Sequence, residues 1–403
     1  MPLPRSFKTD ESFLEKIAMG ATGTRRAFED LSRQGHDPIE LERGSMSFKI
    51  WKAIKIKRVR VPDILCLRCG RRVECRAKTK LEVTMSHSFS VQERGWDFGL
   101  DDDDFIALVQ CQRTGLGPLD WSASQLVQYI RVEPLRRTWR AGQVATQRPK
   151  GAQEGFETRV TWPAAVASAA GVVDEVGDRH VRYRKAIDQR VLTVQLRRRQ
   201  GMLTALVTPG DEIEPGQIIA SVIPVTTAYP CPAGADVQTY LRLSTSASIS
   251  DRYTAVKALG RSQTVASTQA LLERLGDARE HIYVRVDAAA GLMRRGDAAG
   301  RTFLNATLHD EYLENRLEAA IILSEVATPQ AAELLITTLQ DAEQHSEIRA
   351  GAAWSLGELA VGEALPALIQ SFGSLDTVIK IEGGTRPRQD SACTSPRGPQ
   401  GVP

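Results

Sequence analysis

The sequence predicts a multidomain α+β protein with an N-terminal α/β domain, a small β-rich middle module and a C-terminal α-solenoid. The chain of 403 residues is too long for one hydrophobic core. Its first 250 residues contain many short runs in which polar and apolar residues alternate, and after them one phrase recurs four times at a nearly fixed interval. The predicted boundaries are 1–135 for the α/β domain, 136–190 for a linker or irregular segment, 191–248 for the β-rich module, 249–376 for the solenoid and 377–403 for a disordered tail.

Composition is that of a globular protein, with 25% charged and 42% apolar residues. The formal net charge of +3 does not by itself require a nucleic acid partner. Residues 49–80, however, are rich in Lys and Arg, and Asp63 and Glu74 are the acids among them. A local positive charge of this kind attracts phosphate groups, although a solvated strand face would look the same.

Cellular location is predicted from what the sequence lacks. Six cysteines, at positions 66, 69, 75, 111, 231 and 393, are too sparse for a disulfide scaffold in a chain this long. The N-terminus has no apolar segment typical of a signal peptide, and no apolar run approaches the roughly 18 residues needed to span a bilayer. We therefore expect a cytoplasmic protein that does not contact membranes; the sequence sets no oligomeric state.

The N-terminal domain is predicted to start with a helix and continue as strands. Apolar residues at helical spacing indicate a helix over residues 10–34, which Gly35 ends. The expected strands are residues 38–42, two strands around Pro62, residues 73–84, and the apolar run 105–111 after an acidic turn. Cys66–Gly70 is predicted to be a hairpin turn. This order of elements is α/β or α+β in character.

The middle of the chain gives weaker signals. Residues 140–155 read as a linker and residues 162–177 as a short helix. Turns at Pro209-Gly210 and Pro215-Gly216 between alternating apolar residues resemble half of a barrel-sandwich domain of the biotinyl and lipoyl type. That resemblance implies a modified lysine, but no lysine lies between Lys185 and Lys257. We therefore expect a small β module without a swinging arm.

The recurring phrase begins with Arg and continues with small Ala residues and a Leu. It starts at Arg252, Arg285, Arg316 and Arg349, at intervals of 33, 31 and 33 residues. Small residues let paired helices approach, and Leu fills the seam between them. The pattern resembles HEAT repeats, specifically the short bacterial type named after phycobilisome lyases. The resemblance implies a solenoid whose surface binds a protein partner.

The register of the repeat predicts a fifth phrase near residues 380–382. Gly383 and Gly384 stand close to where the paired alanines belong, and a polar segment rich in Pro and Gly follows to Pro403. We therefore expect residues 385–403 to be disordered.

Residues 62–78 carry the prediction of catalysis. Pro62-Asp63, a ten-residue gap, Glu74 and a following basic residue resemble the motif of the PD-(D/E)xK nuclease superfamily. The resemblance implies that Asp63 and Glu74 bind Mg²⁺ or Mn²⁺, a hard cation that prefers oxygen ligands, for cleavage of DNA. It also implies a metal-binding acid from the first helix, for which Glu15 is the candidate and Glu40 the second choice.

The basic position of that motif departs from the superfamily. Two residues after Glu74, on the same strand face, the chain has Arg76 where a lysine is usual. Arg binds phosphate and stabilises developing charge but stays protonated, which makes it a poor proton carrier. Lys78, two residues further along the same face, is the alternative.

A second kind of metal site is predicted from thiolates. Cys66-x-x-Cys69-Gly70 has the form of a zinc knuckle. A structural Zn²⁺ site needs four ligands, and Cys75, His87 and Cys111 are the nearby residues that could complete it. The alternative is a tight hairpin with two reduced thiols. His87 could instead position a phosphate or a water molecule.

Two classes of function follow. The first is a Mg²⁺-dependent DNA endonuclease, as in prokaryotic defence or repair, with a HEAT-like arm that docks DNA or a protein. The second is a non-catalytic HEAT-repeat scaffold with a degenerate nucleic-acid-binding or zinc-binding N-terminal module. A bilin lyase is a third class, and it depends on the name of the repeat alone.

Overall fold

The computed structural model describes residues 10–47, 54, 59–148 and 157–372. They form two compact units. The first contains the described residues up to Ala255 apart from Ile54, and the second contains Ile54 and the residues from Val256 onward. The predicted fifth repeat phrase and the predicted disordered tail lie outside the described residues.

A five-stranded mixed sheet and one long helix begin the first unit. The elements are α1 (Asp10–Arg33), β1 (Pro38–Glu40), β2 (Ile64–Cys66), β3 (Arg72–Lys78), β4 (Thr84–Ser88), β5 (Phe105–Arg113), β6 (Trp121–Arg131) and α2 (Val132–Arg140). The sheet has the order β1-β2-β3-β5-β6; β3 and β5 are parallel, and the other neighbours are antiparallel. The predicted strand 73–84 therefore ends at Lys78, and Thr84 already begins β4, which belongs to another sheet.

Each face of this sheet has its own apolar core. On one face, α1 packs through Ala27 and Leu31 against Val73 of β3. A side chain at Gly23 would bring its Cβ to 2.7 Å from the Cβ of Ala77, so this close approach of α1 requires a glycine. The opposite face carries a second cluster, which includes Ile106, Leu108, Ile130, Trp96 and Trp162.

The described residues of the segment 136–190, predicted to be a linker or irregular, are mostly regular structure. After α2 come β7 (Ala145–Gln147), β8 (Glu157–Thr161), β9 (Ala164–Val166), β10 (Gly171–Val176) and β11 (His180–Lys185). The predicted short helix at 162–177 is thus two strands. Charged residues alternate with the buried Val173, Val181 and Tyr183, and this period-2 pattern is the signal that the prediction missed.

The β-rich middle module starts before the predicted boundary at residue 191. Its further strands are β12 (Val191–Gln195), β13 (Arg197–Arg198), β14 (Gly201–Met202), β15 (Thr204–Ala205), β16 (Glu212–Ile213) and β17 (Ile218–Ser221). Sheets of order β12-β11-β10-β16 and β15-β17-β9 enclose one core of apolar residues between Ala165 and Val222. Gln128 of β6 joins this module to the first sheet, since its amide accepts the Ile218 N–H at 2.7 Å.

After the middle module the chain returns to the first sheet. Thr226 forms an antiparallel bridge with Tyr129 of β6. The segment then runs to α3 (Val237–Leu243), where the Tyr240 hydroxyl donates to the Leu67 carbonyl at 3.0 Å. This return brings residues near 230 next to the β2–β3 turn.

The acidic turn at 101–104 is an ion-pair cluster with arginines. Arg72 is 4% exposed and contacts Asp104 at 2.8 Å, Asp101 at 2.5 Å and Asp251 at 2.9 Å. The turn therefore neutralises a buried guanidinium at the start of β3.

The C-terminal region is a row of paired helices. They are α4 (Ile249–Leu259), α5 (Val265–Gly276), α6 (Ile282–Met293), α7 (Ala298–Thr307), α8 (Leu313–Val326), α9 (Pro329–Gln340), α10 (Ser346–Leu359) and α11 (Leu365–Phe372). Helix α6 packs against α5, α7 and α8, and α10 packs against α8 and α9. The paired alanines of the repeated phrase are completely buried in α6, α8 and α10, as the sequence predicted.

The repeated arginine has a structural role that the spacing alone did not reveal. Arg285 Nε donates to the Leu275 carbonyl at 3.0 Å, and Arg349 Nε donates to the Leu339 carbonyl at 2.9 Å. Both carbonyls lie in the last turn of the preceding helix, where a cation offsets the negative end of the helix dipole. In α6 and α10 the arginine thus fixes the helix to the one before it.

Candidate active site and metal centre

The β2–β3 hairpin brings the two predicted catalytic acids face to face. Ile64 pairs with Val73 in the antiparallel register. Asp63 precedes Ile64 and Glu74 follows Val73, so the two acids occupy opposing positions with side chains on the same face. Burial raises the pKa of the Asp63 carboxyl, and the neighbouring Glu74 and Glu42 carboxylates raise it further. The hairpin thus concentrates negative charge at its open end.

Asp63 is held in place by the backbone. Its side chain is 8% exposed, and Oδ2 accepts the Cys75 N–H at 2.7 Å. Its own carbonyl accepts the N–H of Leu41 at 2.8 Å and that of Glu42 at 3.3 Å. The segment after β1 is therefore fastened to the hairpin, and this contact brings Glu42 beside the acid pair.

The predicted first-helix acid is elsewhere. Glu15 forms an ion pair with Arg113 on β5. Helix α1 packs on the face of β3 that carries Val73, Cys75 and Ala77, whereas Glu74 alternates to the other face. Glu15 therefore does not join the acid pair.

Glu40, the second choice for the additional acid, is also engaged away from the pair. Its Oε1 accepts the Met46 N–H at 2.9 Å. Glu42 is the neighbouring acid instead. Sequence reasoning missed Glu42, although its position two residues after Glu40 was an available signal.

The basic residues of the motif face a positively charged cleft. Arg76 Nη1 lies 2.7 Å from Glu74 Oε1, and Lys78 Nζ donates to the Thr84 carbonyl at 2.7 Å. Burial lowers the pKa of Lys78, and Arg76 lowers it further. The cleft has a volume of about 600 Å³, and the basic residues that line it are Arg60, Arg76, Lys78, Lys80, Arg94 and Arg159. Arg76 thus connects the acid pair to a surface that suits phosphate.

A separate group of potential metal ligands lies at the closed end of the same hairpin. His36, Cys66, Cys69 and Cys231 each offer one ligand atom, and these atoms lie within 4.8 Å of one another. Cys66 Sγ is 3.8 Å from Cys231 Sγ, and Cys69 Sγ is 3.7 Å from His36 Nδ1. The hydrogen bond between the two thiols is the main cause that lowers the pKa of Cys66 to about 3 and raises the pKa of Cys69. The group can therefore supply thiolate and imidazole ligands.

Two of the residues predicted to complete a zinc site are not in this group. Burial raises the pKa of the Cys75 thiol, which lies in the core under α1. Cys111, the third candidate, is completely buried in the same core. Cys75 does not join the cluster because its side chain points from β3 toward α1, whereas the Cys66–Cys69 turn lies beyond the end of the strand.

His87 is also elsewhere, among aromatic rings. Its ring lies 4.6 Å from Trp139 and 4.7 Å from Phe89 between centroids, and its Nδ1 accepts the Trp96 N–H at 3.4 Å. Burial lowers its pKa. In the described structure His87 has packing partners rather than thiolates around it.

Sequence reasoning missed His36 and Cys231. His36 directly follows the glycine that ends α1, and Cys231 stands between Pro230 and Pro232. A cysteine between two prolines is held by a stiff backbone, and this was the available signal.

The repeat region matches a known family model. Residues 300–382 match the model of HEAT repeats, which confirms the predicted HEAT repeats for that part of the chain. No curated protein matches the sequence.

Two solved structures are similar to this chain. Human deoxyhypusine hydroxylase in complex with glycerol is 13% identical over 37% of this chain and 83% of its own, with a TM-score of 0.20. The complex of CpcE and CpcF of phycocyanin lyase from Nostoc sp. PCC7120 is 21% identical over 40% of this chain and 67% of its own, with a TM-score of 0.29. Neither similarity assigns an activity to this protein.

Within the part of the chain that the structure describes, no helix combines the length and the apolar character needed to cross a lipid bilayer.

Proposed function

We propose that the first unit is a divalent-metal-dependent nuclease that acts on DNA, and that the HEAT-like repeats dock a protein partner. The observation that carries the proposal is the Asp63–Glu74 pair, which Arg76 links to a cleft rich in Lys and Arg. Phosphodiester cleavage needs carboxylates for a cation and positive charge for the backbone phosphates. The hairpin and the cleft supply both.

The acid cluster fits a divalent cation. Asp63 and Glu74 share one strand face, and Glu42 adds a third negative group close to Asp63. Crowded carboxylates repel one another, and a hard cation with oxygen ligands relieves that repulsion. We propose Asp63 and Glu74 as the ligands of Mg²⁺ or Mn²⁺, with Glu42 in the place predicted for Glu15. The ion would polarise the scissile phosphate and lower the pKa of a bound water.

Arg76 and Lys78 together would perform the roles of the single lysine that is usual in the PD-(D/E)xK motif. Arg76 is paired with Glu74 and lines the cleft, so it can orient the carboxylate and bind a phosphate oxygen. Burial lowers the pKa of Lys78, which makes its amine a better proton acceptor than a guanidinium. The proposed roles are phosphate binding for Arg76 and proton transfer for Lys78.

The test is cleavage of supercoiled plasmid with Mg²⁺ or Mn²⁺ by four proteins: wild type, Asp63→Asn, Glu74→Gln and Glu15→Gln. The last is a matched control, because it changes a carboxylate that pairs with Arg113 and lies apart from the acid pair. We expect cleavage by wild type and Glu15→Gln, and its loss in the other two variants. Equal cleavage by all four, or cleavage by none, would overturn the nuclease proposal.

The contact between Arg76 and Glu74 favours a second candidate function. At 2.7 Å, the guanidinium occupies one oxygen of a proposed metal ligand. The protein would then be a scaffold whose cleft binds nucleic acid without cutting it. DNA binding that needs no divalent cation, together with no cleavage by any of the four proteins, would support this second function.

A further inference from the structure

We propose that His36, Cys66, Cys69 and Cys231 bind one structural Zn²⁺ ion, which fastens the β2–β3 hairpin to the end of α1 and to the chain segment before α3. This site is separate from the acid pair and does not depend on nuclease activity. The four ligand residues have no part in the proposed nuclease reaction.

Two distances among the four ligand atoms match the edges of a tetrahedral site, and all four atoms lie within 4.8 Å of one another. A Zn–S bond of about 2.3 Å and a Zn–N bond of about 2.0–2.1 Å give tetrahedral edges of about 3.8 Å between sulfurs and about 3.5 Å between sulfur and nitrogen. Cys66 and Cys231 are 3.8 Å apart at their sulfurs, and Cys69 Sγ is 3.7 Å from His36 Nδ1. The side chains are therefore already arranged around a common centre.

The second nitrogen of His36 fixes which tautomer faces the thiols. His36 Nε2 lies 2.8 Å from the Tyr229 carbonyl oxygen, which can only accept a hydrogen bond. The proton is therefore on Nε2, and the lone pair of Nδ1 points to the cysteines. Histidines that bind metals are commonly oriented by such a carbonyl contact.

Backbone hydrogen bonds hold the turn of the predicted zinc knuckle. The Gly70 N–H donates to the Cys66 carbonyl at 2.8 Å, and the Cys66 N–H donates to the Arg71 carbonyl at 2.9 Å. Gly70 has φ +73°, the left-handed conformation that closes this turn. These backbone contacts fix the turn that carries Cys66 and Cys69.

Two other interpretations of the cluster fit less well. A disulfide needs sulfurs about 2.05 Å apart, far shorter than the 3.8 Å between Cys66 and Cys231. Without a cation, a histidine that is 7% exposed and a cysteine that is 1% exposed would share a small site with two further thiols. Four protein ligands leave no open position for substrate, so the role of the ion is structural.

The ion would connect parts of the chain that are far apart in sequence. Cys66 and Cys231 are separated by 165 residues, and His36 lies 33 residues before Cys69. A link across a long loop removes much conformational freedom from the unfolded chain, so binding of the ion adds to folding stability. The hairpin that it holds also carries Asp63 and Glu74.

The test measures metal content of the full chain by inductively coupled plasma mass spectrometry after purification without added metal. We expect about one Zn²⁺ per wild-type chain, the same content in Cys111→Ala, and loss in Cys231→Ala. Cys111 is a matched control, because it is a buried thiol outside the cluster. Absence of zinc, iron in its place, or unchanged zinc in Cys231→Ala would overturn the proposal.

A second measurement uses wild-type protein alone, so its outcome does not depend on whether a variant folds. Wild-type protein stripped of metal and reloaded with Co²⁺ should show the absorption of a tetrahedral thiolate site, and Tm should fall on stripping and recover with Zn²⁺. A Co²⁺ spectrum without thiolate character would contradict the site. These readouts use DNA-free protein, so a failure of the nuclease proposal with zinc present leaves this inference intact.

Discussion

The Cys75 N–H donates to Asp63 Oδ2 at 2.7 Å, so a proposed metal ligand also satisfies a backbone donor of the adjacent strand. The contact explains how Asp63 can be held close to the carboxylates of Glu74 and Glu42. It also separates the structural role of Asp63, which an amide oxygen can perform, from its proposed catalytic role, which needs a negative charge.

Asp63→Asn should therefore abolish cleavage without loss of the fold. The Asn amide oxygen can still accept the Cys75 N–H, but it cannot supply a charged ligand. We expect activity to fall at least about 100-fold, since even residues that only support metal ligands cost 10–100-fold. Circular dichroism and Tm establish that the variant is folded. A variant that cleaves like wild type would remove Asp63 from the site.

The same substitution should change how stability depends on pH. Because the folded-state pKa of Asp63 is raised above its ordinary value of 3.8, its protonated form stabilises the fold at low pH, and this contribution is lost as pH rises through the folded-state pKa. The Tm of Asp63→Asn should therefore exceed that of wild type by a margin that grows as pH rises above 3.8 in Mg²⁺-free buffer. A margin that shrinks with rising pH would contradict the raised pKa.

Arg76→Lys and Arg76→Ala separate phosphate binding from simple charge pairing. Arg76→Lys restores the basic residue usual in the PD-(D/E)xK motif, so we expect cleavage at least equal to wild type. Arg76→Ala removes the cation and should lower kcat by about 100-fold, as for other groups that stabilise developing charge. Single-turnover kinetics on one oligonucleotide would measure both. Cleavage by Arg76→Ala at the wild-type rate would mean that Arg76 has no role in the reaction.

The cleft should bind DNA mainly through phosphates. Arg159→Ala removes one cleft residue and should reduce the slope of log K against log salt by about 0.9. Arg184→Ala is the control, because Arg184 is an arginine of β11 that pairs with Asp174 at 3.0 Å outside the cleft. Fluorescence anisotropy at several salt concentrations measures the slopes. Matching slopes for the two variants would exclude Arg159 from the binding surface.

Two adjacent arginines should differ widely in their effect on stability. Arg72→Ala leaves Asp104, which is 3% exposed, without its principal counter-charge and should cost about 3–5 kcal/mol. Arg71→Ala breaks an exposed pair with Asp103 and should cost about 0–1 kcal/mol. Urea unfolding of both variants measures the difference. Similar costs would show that the Arg72 cluster does not stabilise the fold.

The glycines of the repeat helices allow a comparable test. A Cβ at Gly291 would lie 2.9 Å from the Gly260 Cα, so Gly291→Ala should destabilise the protein by about 1–3 kcal/mol. A Cβ at Gly276 has no atom within 4 Å, and Gly276→Ala should be neutral or stabilising by up to about 1 kcal/mol. Thermal unfolding measures both. Equal stability of the two variants would contradict the close approach of α4 and α6.

Elements whose signal lies within a short stretch of consecutive residues were predicted correctly from the sequence. The helix over 10–34, the buried strand at 105–111 and the hairpin turn at Cys66–Gly70 correspond to α1, β5 and the β2–β3 turn. Residues 136–190 were not, because the partners of their strands are distant in sequence. Strand β8 pairs with the earlier β4, and β9, β10 and β11 share a core with the later β12, β16 and β17. A strand whose core lies in later sequence gives little local signal.

By itself the sequence determined the HEAT-like repeats, since the phrase from Arg252 to Leu356 and its spacing are local and periodic. It also determined the turn that carries Cys66 and Cys69. Only the tertiary structure decided that His36 and Cys231 join that pair and that Glu42, not Glu15, lies beside Asp63. The physical reason is that such neighbours are set by the pairing of β2 with β3, by the face on which α1 packs, and by the return of the chain after a whole intervening module.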